Sequence, residues 1–304
     1  MHANSNDRLA VTYAVLTVAL WSTVATAFKL ALRHVDVFQL LLISSLTATL
    51  CLYLILVFRG RRGTPWKQSR RTYLHALALG ALIPFAYYLV LFGAYSLLPA
   101  QVAQALNYTW AIALMLLSVP LLQHRLTRSD VIGALISYSG VVLVCTGGTA
   151  ISGGSLSTAG ISLALISTVI WALYWIAKTR DPLEPVVSLF LSFLFGLPWV
   201  AAACLFLSDL RSINASGAAA SVYVGLVEMG FSYVFWLMAL RHASRAARIS
   251  TLVFLSPFLS LVLIRYVLSE AIALTTIGGL ILVVAGLLIQ KLFETAARRV
   301  PNPA

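Results

Sequence analysis

Between Arg71 and Arg125 the chain carries no Asp, Glu, Lys or Arg, and the same is true between Asp130 and Lys178. Each charge-free stretch is long enough for two bilayer-spanning helices, which need about 20 apolar residues apiece. A soluble domain cannot cover its surface this way. Average soluble domains carry about 25% charged residues; here 10% of the 304 residues are charged and 61% are hydrophobic. The alternation expected of an outer-membrane barrel is missing. The sequence therefore predicts an all-α polytopic membrane protein with the lipid bilayer as its principal partner.

Apolar runs between charged or Pro/Gly-rich breaks predict ten spans, at 10–28, 37–58, 73–97, 100–122, 129–147, 159–178, 185–207, 217–240, 246–268 and 272–290. An even number of spans puts both termini on one side. With that side as the cytoplasm, 17 of the 21 Lys and Arg fall on inner segments, and only Lys29, Arg33, Arg211 and Arg265 do not. The positive-inside bias thus predicts N-in and C-in. The net charge of +12 is this scatter of basic loop residues, not a nucleic-acid surface. Cys51, Cys145 and Cys204 lie within predicted spans without metal-ligand spacing and read as small buried side chains. The polar N-terminus is unlike a signal peptide, so the first apolar run reads as a retained helix.

The chain resembles itself. Ile132-Gly133-Ala134 matches Ile277-Gly278-Gly279 at an offset of 145, and the short link 98–101 falls on 243–246 by the same shift. This predicts two five-helix halves, residues 1–147 and 159–304 joined by 148–158, with the cytoplasmic tail at the end of the second. Five is odd, so the halves insert upside down relative to each other. Inverted repeats are common in secondary transporters, where the substrate site lies near the midplane between the halves.

These features resemble the drug/metabolite transporter superfamily of EamA type. They are Leu20-Trp21-Ser22 with Lys29 closing the first span, near-absent links between spans 3 and 4 and between 8 and 9, and Ser269-Glu270 followed by Ile277-Gly278-Gly279. One position departs from it: Arg125 stands where the second half has Glu270. Within the superfamily, residues 225–236 and the aromatic-rich spans 3, 4 and 6 resemble YddG-like aromatic amino acid exporters. The resemblance implies an amino acid, preferably aromatic, as small-molecule substrate, moved across the inner (cytoplasmic) membrane by alternating access. Export of another small amine or a cationic drug is the alternative, and a non-transporting structural subunit is a third. A channel would need rings of like charge, which are missing. No Walker A, HExxH or GxSxG motif occurs, so neither an enzyme nor a cofactor is expected.

Of the nine acidic residues, Glu228 alone falls mid-span. A central charge costs roughly 2.5–3.5 kcal/mol on insertion scales. Helical steps place Ser221, Gly225, Glu228 and Ser232 on one small, polar face. Read functionally, the carboxylate meets a substrate ammonium or carries a proton; read structurally, it is a carboxyl bonded to a neighbouring helix. Trp21, Tyr87, Tyr88, Tyr108, Trp110, Trp171, Tyr174 and Tyr223 are expected near mid-depth, whereas interfacial belts place such rings at the rims. Gln104 and Asn107 supply amides. Together these residues predict an aromatic-walled cavity suited to a flat side chain with a zwitterionic end. Individually, each aromatic also fits plain helix packing. Pro84 and Pro257, inside spans 3 and 9, are candidate hinges. Arg245 and Arg248 read as positive-inside anchors or as a cytoplasmic gate. Gly133/Gly140 and Gly279/Gly286 let spans 5 and 10 pack closely, as peripheral supports or, less favoured, as a dimer contact; a monomer or weak dimer is expected.

Overall fold

The computed structural model describes residues 6–123, 127–152, 155–178, 181–243 and 252–297. Among the described residues eight helices are long and apolar enough to cross a membrane: α1 (Asp7–Leu32), α2 (Val37–Phe58), α3 (Arg70–Leu97), α4 (Ala100–Leu122), α5 (from Arg128), α6 (Thr158–Lys178), α7 (Pro185–Leu207) and α8 (Ala215–His242). Two shorter apolar helices follow, α9 (Leu252–Val267) and α10 (from Leu274). Among the described residues all regular structure is helical.

Polar residues mark the helix starts. Asp36 begins α2 with a capping box in which its carboxylate accepts from the Phe38 and Gln39 N–H groups and Gln39 accepts from the Asp36 N–H. Glu184 and Asn214 cap α7 and α8 in the same sense, each accepting an N–H three residues on. These caps satisfy donors that a helix start leaves without partners.

Two of the helices change winding midway. In α3, residues Ala81–Ala86 form a π segment containing Pro84, and Ile83 departs from helical angles (φ −135°, ψ 122°). Proline has no N–H for the helical ladder, so the kink falls there. In α8, residues Gly225–Ser232 are likewise π-helical. Each wide turn is preceded or opened by a glycine against another backbone. Gly80 meets Ser192 and Gly196 of α7, and Gly225 meets Ser44 of α2. α4 breaks at a turn over Tyr108–Thr109. Pro257 stands in the first turn of the regular part of α9, Ser256–Val267, after a 3-10 turn over Leu252–Leu255. A missing N–H is tolerated at such a position, so Pro257 marks a change of winding and not a kink inside a continuous helix. Arg245 and Arg248 lie outside the described residues.

α1 packs on α8 and α9, α6 packs on α3 and α4, and α2 lies along α7. α5 and α10 pack on each other and touch the rest mainly through the start of α4. Their glycine faces meet within this one chain: Gly140 abuts the Gly279 carbonyl, Gly286 abuts the Gly133 carbonyl, and Ser137 donates to the Val283 carbonyl at 3.0 Å. Those faces are therefore filled internally and are not free for a second copy. Cys51 and Cys204 are buried free thiols and Cys145 is half-buried.

Candidate functional site

Glu228 lies in the π segment of α8, 8% exposed. It borders a cavity of about 100 Å³ with Trp21, Val24, Ala25 and Phe28 of α1, Tyr87, Leu91 and Tyr95 of α3, Gln104, Asn107, Tyr108 and Trp110 of α4, Trp171 of α6 and Val253 of α9. One water needs roughly 10–15 Å³ of such space, so the cavity is wide enough for several waters or a small solute.

The carboxylate is half-engaged. Tyr88 donates its hydroxyl to Glu228 Oε1 at 3.2 Å, and the Tyr88 and Tyr233 hydroxyls are 3.1 Å apart. Glu228 Oε2 is buried without a hydrogen-bond partner among the described residues. So are three further atoms of residues lining this cavity: the indole nitrogens of Trp21 and Trp171, and Gln104 Oε1. Buried polar groups are nearly always paired. The Trp21 indole N–H bears on the Glu228 carboxylate without closing a well-formed hydrogen bond, which leaves Trp171 Nε1 and Gln104 Oε1 as the open donor and acceptor, and these point to something polar that enters the cavity.

The walls are rings. Trp171 sits 4.7 Å from Tyr87, 6.0 Å from Tyr233 and 6.4 Å from Trp110, centroid to centroid, and Trp21 packs on Trp236 at 5.7 Å. Asn107 is oriented by its amide, which donates to Ser167 at 3.0 Å and to Tyr87 at 3.5 Å. The Tyr108 hydroxyl is bonded to Ser256.

Of the residues singled out in the sequence, Glu228, Trp21, Tyr87, Gln104, Asn107, Tyr108, Trp110 and Trp171 converge on this cavity, and Tyr88 reaches it through Glu228. Three do not. Tyr223 is 41% exposed and donates to Thr23. Ser232 is buried with its hydroxyl donated to the Val227 carbonyl. A five-residue π step separates that pair, so counting by α-helical steps from Glu228 puts Ser232 on the wrong face. Tyr174 lines a second cavity instead. Sequence reasoning missed Val24, Ala25, Phe28, Leu91, Tyr95 and Val253. Phe28 follows Trp21 and Ala25 at helical spacing, and Tyr95 follows Tyr87 and Leu91, so the stripes were present to be counted.

The second cavity, of about 190 Å³, is lined by Tyr174, Trp175 and Lys178 of α6, Asp181, residues at the start of α7, and Tyr233 and Leu237 of α8. Lys178 pairs with Asp181 at 3.3 Å, and Ser188 bonds both. Burial pushes the Asp181 carboxyl up, but the Ser188 hydroxyl, the Leu183 N–H and the Lys178 ammonium outweigh it and hold it below its usual value. Arg59 and Glu184, 3.8 Å apart, lie at this same end of the bundle.

Hydrogen bonds also join the segments at the opposite end. Lys29 donates to the Tyr95 and Leu98 carbonyls at 2.8 Å each. Glu270 accepts from the Ala100 N–H at 3.0 Å, capping the start of α4, and Gln101 donates to the Ala271 carbonyl at 2.8 Å. The group of His, Cys, Asp and Glu side chains that a metal would need does not occur among the described residues.

Comparison with known proteins bears on these features. A protein of Archaeoglobus fulgidus described as an uncharacterized transporter is 27% identical over 284 residues, covering 90% of this chain and 95% of the relative. The uncharacterized transporter YvbV of Bacillus subtilis is 24% identical over 196 residues, 62% of each chain. A solved crystal structure aligns with a TM-score of 0.69 at 22% identity, over 95% of this chain and 98% of that one, which shows a shared fold. The profile of the EamA-like transporter family matches twice, at residues 8–146 and 158–290. With nearly the whole length matched, the chain belongs to the EamA-like transporter family.

Proposed function

We propose that this protein is a secondary transporter that exports amino acids, aromatic ones by preference, across the cytoplasmic membrane by alternating access. The observation that carries the reading is the half-engaged Glu228 in an aromatic-walled cavity. Its open Oε2 suits an ammonium group. The open indole N–H of Trp171 suits a carboxylate, and the rings suit a flat side chain. A zwitterion answers all three; a cationic drug would leave the Trp171 indole donor unmet, and a buried donor without a partner costs about 1–3 kcal/mol.

The same reading takes the chain as ten spans in two inverted halves, 1–147 and 159–304, with both termini in the cytoplasm. Several contacts support it. A shift of 146 exchanges the Gly140–Gly279 contact with Gly286–Gly133 and carries Ser137 onto its own partner Val283. A shift of 145 carries Tyr88 onto its partner Tyr233. The packing of α1 on α8 and α9 has its counterpart in α6 on α3 and α4. In this frame Glu228 and the Tyr88–Tyr233 pair lie where the halves meet, the place a rocking transporter holds its substrate.

The test is transport by the purified protein in proteoliposomes, with labelled phenylalanine, tryptophan, alanine and a lipophilic cation as the panel. Accumulation of phenylalanine and tryptophan above alanine is expected. Movement of the cation with none of the amino acids would transfer the site to cationic amines.

A further inference from the structure

The two cavities are joined by a hydrogen-bonded chain. Glu228 lines the first, Tyr233 lines the second, and Tyr88 lies between them, fully buried. The Tyr88 hydroxyl has one proton, and it is donated to Glu228. Its contact with Tyr233 must then be one in which Tyr233 donates and Tyr88 accepts. The chain is therefore aligned in one direction, from the Lys178 cavity through Tyr233 and Tyr88 to Glu228 Oε1. The Lys178 cavity has the volume for several waters, and Lys178, Asp181 and Ser188 on its otherwise apolar wall are the polar partners that would hold one at the head of this chain.

We propose that Tyr233 and Tyr88 form a proton wire that loads Glu228 from the Lys178 cavity, apart from the cavity that takes the substrate. A hydronium ion in the Lys178 cavity gives its proton to the Tyr233 oxygen. The Tyr233 proton passes to Tyr88, and the Tyr88 proton passes to Glu228 Oε1. Each phenol breaks one O–H bond and gains another. The hydronium becomes water and the carboxylate becomes a carboxylic acid, so no other reactant is needed. Rotation of the two hydroxyls resets the chain.

The groups around Glu228 leave this route uncontested among the described residues. α3 presents Tyr87, Tyr88 and Tyr95, α4 presents Tyr108, and α8 itself presents Tyr233. α1 offers Trp21, which does not titrate, and α2 brings Cys51 against Gly230. Among the described residues the cavity wall has no Lys, Arg, His or second carboxylate. Protonation removes the charge that would hold a substrate ammonium, so proton entry from one side would release substrate held at Oε2. The wire rests on the reading of the chain as a transporter but not on which solute it carries.

The experiment is time-resolved infrared spectroscopy of the purified protein in lipid bilayers after rapid acidification. The carboxylic C=O band lost in Glu228→Gln is assigned to Glu228. Tyr233→Phe and Tyr88→Phe are expected to keep this band and slow its appearance by roughly tenfold or more. In the wild type, the rate should fall along a curve as D₂O replaces H₂O, because more than one proton is in flight. This measurement stands even where a variant fails to fold. Wild-type rates in both folded variants, a linear isotope dependence, or no band attributable to Glu228 would each overturn the wire. Failure of the same proteoliposomes to move amino acids, with the slowed band intact, would remove the amino acid reading and leave the wire standing.

Discussion

Replacing Glu228 with Gln separates charge from shape at the centre of the site. The Gln side-chain carbonyl can still accept the Tyr88 hydroxyl, now 3.2 Å from Oε1. The change falls on the other oxygen, which is buried and has no partner among the described residues. There an acceptor becomes an NH₂ donor, beside a Trp21 indole N–H that bears on the same carboxylate. A substrate ammonium would lose a charge-assisted hydrogen bond, worth about 1.5–3 kcal/mol. That corresponds to a roughly 10- to 150-fold weaker affinity. The assay is equilibrium binding of radiolabelled phenylalanine to purified protein with no ion gradient, so that coupling plays no part. Thermal unfolding of the same samples controls for packing, which Gln should leave nearly unchanged because Tyr88 keeps its partner. Wild-type affinity in a folded variant would refute the reasoning and return Glu228 to a structural or purely proton-carrying role.

Three further outcomes are expected. Trp171→Ala removes a ring that touches Tyr87, Trp110, Trp175 and Tyr233; at about 0.5–1.5 kcal/mol, it should weaken phenylalanine transport roughly two- to tenfold relative to alanine, and equal losses for both would mean packing only. Gly279→Leu would drive a Cβ against the Gly140 carbonyl and to 2.6 Å from Val144 Cγ2, lowering thermal stability by about 1–3 kcal/mol; an unchanged unfolding temperature would contradict the α5–α10 packing. Ser155 and Ser69 are both exposed, and in a background free of the native cysteines an impermeant thiol reagent should label Ser155→Cys but not Ser69→Cys in intact cells, the reverse pattern inverting the topology.

Much of the fold could be read from charge and capping. The bounds of α2 and α7 coincide with the sequence reading because Asp36 and Glu184-Pro185 announce their starts and an uninterrupted apolar run follows each. α1 was drawn short. Lys29 looks like a helix stop, yet the helix continues to Leu32 while the ammonium reaches the Tyr95 and Leu98 carbonyls. Most of the aromatic wall was legible because Tyr and Trp at mid-span are out of place in a lipid-facing helix. The π segments were not: a change of step from four residues to five leaves no mark in composition, and it turned Ser232 away from Glu228. Val253 has no chemical signature of its own and is reached only through the repeat, as the position 145 after Tyr108. The Tyr88–Tyr233 contact is a meeting of two halves, and residues that pair across a fold are visible as partners only once both are placed.

The most direct test of the site is a structure of the protein with tryptophan bound. The amino acid is expected in the Glu228 cavity, its ammonium within hydrogen-bond distance of Glu228 Oε2, its carboxylate on the Trp171 indole nitrogen, and its ring against Trp171 and Tyr87. Tryptophan bound elsewhere, or bound in this cavity with its ammonium turned away from Glu228, would contradict the account.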